Sequence, residues 1–163
     1  MTDEHLPAVG HDIGDTFAID GESASLGVQV TPADHAWQNE TPGAADRVFA
    51  DEDYGFFWIT TPDGTIWAPG DSRLIPDHHL AMPAPDALLF DFYDSEWHFT
   101  LAGAVRMANA YSETPLLLHH WGCVDAPDFS PFNADPADLD GLVDNPDRIL
   151  LLAPGQPFTL KRL

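Results

Sequence analysis

Cationic side chains are scarce: the 163 residues hold one lysine, Lys161, and five arginines against 27 acids, a formal charge of −21 with histidine neutral. Protonating all eight histidines would still leave the chain strongly anionic. Nucleic acid and anionic membranes are therefore excluded as expected partners, because phosphate binding is driven by clustered Lys and Arg. Cysteine is nearly absent too. A single Cys123 rules out an intrachain disulfide, so no oxidising compartment is needed. Long apolar runs are also missing. Nothing approaches 18 consecutive apolar residues and residues 1–30 have no basic start, so neither a membrane span nor a signal peptide is expected.

Glutamate is outnumbered by aspartate, and the single lysine accompanies an Asp-rich surface suited to concentrated salt. A halophilic or high-GC host is the expectation, with partner binding as the other reason for such acidity. Salt screens self-repulsion over ~3 Å at 1 M. Thermal melts in dilute and molar potassium chloride should therefore show a melting temperature that rises with salt; a flat or falling one would move the acidity to a partner.

What the chain does have is core material, 44% hydrophobic and 11% aromatic. Its 15 prolines and 12 glycines are scattered through the length, cutting it into pieces of strand size. One β-rich domain over residues 1–163 is expected, with 1–14 as an arm or loop. The fold class read from this spacing is mainly β: an antiparallel β-sandwich or barrel-like domain with one short helix.

Three hairpins carry that reading. Around Pro62-Asp63-Gly64, a three-residue loop pairs Thr61 with Thr65 and Ile59 with Trp67. Around Asp94-Ser95, strands 88–93 and 96–101 pair Phe92 with Trp97, Phe90 with Phe99 and Asp91 with His98. At the end, 148–153 pairs with 157–161 around Pro154-Gly155-Gln156. Weaker strands are expected at 16–19, 26–31, 47–50 and 115–121. Residues 104–111 fit helix or strand and are assigned to strand because their neighbours are strands. The short helix is placed at 136–143, with Asp135 as N-cap and Pro136 at its first position.

The run from Val105 to Trp121, VRMANAYSETPLLLHHW, followed by Ile149 to Leu160, ILLLAPGQPFTL, resembles the small β-sandwich modules of tailed-virus structural proteins. About 60 residues carry the likeness. It implies an assembly scaffold and brings no catalytic signature.

The chemical candidates are His78, His79, His98, His119, His120 and Cys123. Imidazole and thiolate ligate zinc, and adjacent histidines on a strand point to opposite faces, so one of each pair could serve one ion. If a metal site exists, it is His79, His120 and Cys123, with Asp77 as a fourth ligand. Asp91 with His98 is a candidate acid-base dyad, against a plain cross-strand ion pair. Neither is ordered into a recognisable motif, so no catalytic residue, cofactor or metal is expected. The aromatic surplus of the first hairpin points instead to a protein-binding face at Phe56, Trp58 and Ile66. The function expected is thus a non-enzymatic structural subunit of a tailed virion, oligomeric with other protein subunits, assembled in the host cytoplasm. The alternatives are an acidic inhibitor of a basic enzyme and a small His/Cys metalloenzyme.

Overall fold

A computed structural model describes residues 9–43, 46–122 and 134–162. Seven strands form one mixed sheet in the order of the chain: β1 (Thr16–Asp20), β2 (Ser25–Pro32), β3 (Gly55–Thr61), β4 (Gly64–Ala68), β5 (Ala87–Asp91), β6 (Leu116–His119) and β7 (Ile149–Leu150). Pairs β1–β2, β2–β3 and β3–β4 are antiparallel, whereas β4–β5, β5–β6 and β6–β7 are parallel. The expected antiparallel sandwich is thereby corrected to an α/β architecture. Parallel neighbours need a crossover, and two of these crossovers carry helices: α1 (Pro76–His79) between β4 and β5, and α2 (Thr100–Ala110) between β5 and β6.

The second expected hairpin fails at that crossover. Its first strand is real, but 96–101 turns into α2 because the apolar spacing there is helical. Gly103, Ala104, Met107 and Ala108 form the buried side of α2, and the alanines that favour helix outweigh the pull of neighbouring strands. The Asp94 carboxylate accepts from the Leu101 N–H at 2.7 Å, satisfying one of the open donors of the first turn. Residues 104–111 are thus helix up to Ala110.

The first hairpin forms one residue out of the expected register, with Thr60 opposite Thr65, Ile59 opposite Ile66 and Trp58 opposite Trp67. The Thr61 hydroxyl accepts from the N–H groups of Asp63 and Gly64, closing a turn of two residues rather than three. A one-residue slip exchanges the faces. Trp67 therefore joins Trp58, Leu88, Leu116 and Ile149 in one row across the sheet. That row, with Phe90, Phe92 and Phe99, packs against α2 as the core.

Four further expectations sort themselves by local chemistry. β1 and β2 cover the weak strands at 16–19 and 26–31, β6 takes up only 116–119 of 115–121, and 47–50 is not strand. Asp135 does cap a turn, accepting from Ala137 N–H, but the element is a 3-10 turn over Pro136–Leu139. The C-terminal hairpin is absent among the described residues. β7 is only Ile149–Leu150, paired parallel to β6. Arg162 ends beside the first hairpin, donating to the Pro62 carbonyl at 2.9 Å. No helix among the described residues is long and apolar enough to cross a membrane.

Candidate metal centre

The carboxyl ends of β4, β5 and β6 lie side by side, and each delivers one polar group to the same place. In α/β sheets this edge is where ligands bind. From β4 the chain passes Pro69 and Gly70 to Asp71. Gly70 has φ +59 and its α-carbon sits directly against the Phe56 ring, so a side chain here would be both strained and blocked. β5 ends on Asp91. β6 ends on His119, and His120 follows in the left-handed region at φ +65. A non-glycine residue in that region costs roughly 1–2 kcal/mol, strain of the kind that gathers at functional sites. The departure from strand geometry lets His120 reach Asp91. His119 stays on the strand and hydrogen bonds to the Leu89 backbone.

His98 arrives from the segment between β5 and α2. Its Nδ1 lies 2.7 Å from Asp91 Oδ2, while His120 Nδ1 lies 3.1 Å from Asp91 Oδ1 and 3.6 Å from Asp71 Oδ1. Asp71, Asp91, His98 and His120 thus bring four ligand atoms within 4.8 Å of one another. Asp91 is wholly buried, with one oxygen for each imidazole. Burial pushes its carboxyl up, but the hydrogen bonds from His120 and His98 outweigh this and the net direction is down. The Asp91 contact holds His120 above the ordinary histidine range. His35 stands edge-on to His98 at 5.4 Å between ring centres, and burial, then His98, push it down, keeping it neutral.

Two imidazoles and two carboxylates are a donor set suited to zinc or a similar divalent ion. The chemistry of the set fits in a second way. Without a cation, a fully buried carboxylate needs charge compensation that only protonated imidazole could give here; a divalent ion would supply it directly.

The sequence reading reached parts of this centre by the wrong routes. His120 is in it, but His79 is not: its ring is fully buried in the core, 5.7 Å from Trp67 and 5.4 Å from Phe99. Cys123 lies outside the described residues. Asp91 and His98 do meet, as a buried pair beyond the strand end rather than across a hairpin. Asp71 and His35 were missed; the available signal was the Pro-Gly-Asp step straight after a strand. Phe56, Trp58 and Ile66 do not share one face, since the register slip separates Ile66 from Trp58. Trp58 packs against the core at 5.9 Å from Trp67, and Phe56 supports the turn that carries Asp71.

A cavity of about 660 Å³ opens on the cluster, its wall including His35, Asp71, His98 and His120. This is the size of a site for a small organic ligand.

The family model described as "Beta-lactamase superfamily domain" matches residues 1–121. Among solved structures, the chain is similar to Igni18, described as a novel metallo hydrolase from the hyperthermophilic archaeon Ignicoccus hospitalis KIN4/I, with 18% identity and a TM-score of 0.62. The alignment covers 94% of this chain and 61% of that one, so the chain spans under two thirds of its neighbour's length. No curated protein matches. These findings overturn the likeness to tailed-virus modules, and with it the structural-subunit function and the virion location. They likewise correct the non-enzymatic expectation in favour of the metalloenzyme alternative. The β-sandwich grammar misled because LLLH and ILLLAPG are also what buried parallel strands look like.

Proposed function

The chain belongs to the beta-lactamase superfamily domain family, and from that premise we propose that it is a metal-dependent hydrolase working at the cluster of Asp71, Asp91, His98 and His120. The observation that carries the reading is the convergence of those four donors, with Asp71, His98 and His120 lining one cavity and Asp91 buried behind them. These residues would hold the ion, and His35 adds an imidazole lone pair at the same wall. A bound divalent ion would supply Lewis acidity toward the scissile bond and a water that is acidic near neutral pH.

The residues themselves do the positioning. Asp91 orients both imidazoles, since each Nδ1 approaches a different one of its oxygens. Asp71 is the most exposed donor, its side chain 41% accessible. In the hydrolytic step a water oxygen bonds to the electrophilic carbon or phosphorus of the substrate, the bond to the leaving atom breaks, and the water's proton passes to that atom. The Asp71 carboxylate oxygen not engaged with the ion is open to the cavity and can hold the proton between those events.

Elemental analysis of purified protein reconstituted with zinc, manganese or iron should find metal retained through gel filtration. The same preparations should hydrolyse at least one chromogenic carboxylic ester, amide or phosphodiester, with activity lost on His120→Ala. Absence of both retained metal and hydrolysis across all three metals would overturn the reading.

A further inference from the structure

The rest of the cavity wall is mostly aromatic, formed by Trp37, Tyr93 and Trp97 with Glu96, Thr41 and Ser95. Beyond a metal ion, recognition of an anionic substrate relies on Lys or Arg in the pocket, so each of the six cations matters. Arg47 faces Asp53 and the Phe49 ring. Arg148 donates to the carbonyls of Ala108, Thr114 and Asp144, and Arg162 to that of Pro62. None of these, nor Arg106 or Lys161, lines the cavity. The residues outside the description contain no Lys or Arg at all.

Only Arg73 comes near, and it is already paired with acids. Nε donates to the Glu96 carbonyl at 2.7 Å, and the two terminal nitrogens reach the Glu40 carboxylate at 3.2 and 3.4 Å. Asp34 lies 3.8 Å away. The guanidinium lies 4.6 Å over the Trp97 ring, covering one face of the indole. The indole remains part of the cavity wall.

Resting on the hydrolase reading, we propose that this cavity takes a neutral or cationic ester or amide bearing a flat aromatic group, which stacks on the Trp97 and Trp37 indoles, and that it rejects phosphate and carboxylate substrates. Indoles supply stacking area and attract cations through their faces. Apart from the ion and the imidazoles that hold it, an anion would meet Glu96 and an overall charge of −21, with no Lys or Arg in the wall to receive it.

Three probes with one ring and three charges test this: benzyltrimethylammonium, benzamide and phenylphosphonate, titrated against the full-length chain by tryptophan fluorescence and isothermal calorimetry in EDTA. Benzamide and benzyltrimethylammonium should bind at least tenfold more tightly than phenylphosphonate. Trp97→Ala should weaken both by about tenfold, with Trp97→Phe retaining most of the affinity. Glu96→Lys, at an exposed side chain, should raise phenylphosphonate affinity several-fold. Equal or tighter phenylphosphonate binding by the unaltered protein, or indifference to both Trp97 variants, would overturn the proposal. A parallel assay with zinc separates the two claims. Hydrolysis of bis(p-nitrophenyl) phosphate in preference to p-nitrophenyl acetate refutes the substrate class and leaves the hydrolase standing. The probe order with no hydrolysis by any metal supports the cavity assignment and refutes the hydrolase.

Discussion

Asp91→Asn folds but loses its hold on zinc, with an affinity lowered by a factor on the order of 100, the upper end for loss of a group that orients metal-binding imidazoles. The carboxylate is fully buried and gives one oxygen to His98 and the other to His120. Asparagine keeps the shape but has one acceptor oxygen, and its amide presents N–H to the second ring. One imidazole must then turn its tautomer or leave. Competition against a chromophoric chelator measures the affinity, and a melt without metal separates the folding cost, about 1–3 kcal/mol for a buried group left unsatisfied. Zinc affinity within twofold of the unaltered protein would remove Asp91 from the centre.

Acid destabilises the protein through a residue outside that centre, His79. His79 is fully buried, its Nδ1 accepts from the Ile75 N–H at 2.9 Å, and its ring packs on Trp67 and Phe99. Burial pushes its pKa down to about 4. A depressed histidine makes the unfolded chain the better proton binder, so stability is intact above pH 6.5 and falls as pH drops from there to about 4. A shift of about 2.5 units corresponds to roughly 3 kcal/mol across that window. Urea denaturation at pH 7.0 and 4.5 should show this loss, and His79→Gln should remove most of the difference between the two pH values while lowering stability at neutral pH. An identical pH dependence in the variant would assign the acid loss to carboxylates alone.

How far the residues announced the structure depended on the range of the forces involved. The turn at Pro62-Asp63 and the Asp135 cap rest on contacts a few residues apart, and the strands at 16–19, 26–31 and 115–121 carry local apolar patterns, so these could be read from neighbours in the chain. Even there the Thr61 hydroxyl set the register, and nothing in the alternation of 56–68 announced it. The parallel pairing of β4, β5 and β6 depends on partners more than twenty residues away. Apolar runs such as Leu116–Leu118 look alike in a sandwich and in a buried parallel sheet. The centre was visible as an abundance of histidine, but its membership turned on the left-handed backbone of His120 and on Asp71 lying at a strand end. Neither is a property of residue type. The core fate of His79 was equally hidden, since an imidazole beside its twin His78 reads as a ligand until Trp67 is seen against it.

The parallel strands that carry Asp71, Asp91 and His120 also fix when in folding the centre can exist. β1 to β3 and β4 are joined by antiparallel pairs, two of them through tight turns, whereas Trp67 must find Leu88, and Leu88 must find Leu116, across intervening helices. Loop closure over such distances is slow relative to hairpin formation. The β1–β2 and β3–β4 hairpins therefore form first, and the donor atoms converge only when β5 and β6 have docked and α2 has covered them. A metal ion arriving earlier meets scattered carboxylates and imidazoles with no shared focus. The ion is captured by a nearly finished sheet instead of templating it, so added zinc should slow unfolding while leaving the refolding rate almost unchanged.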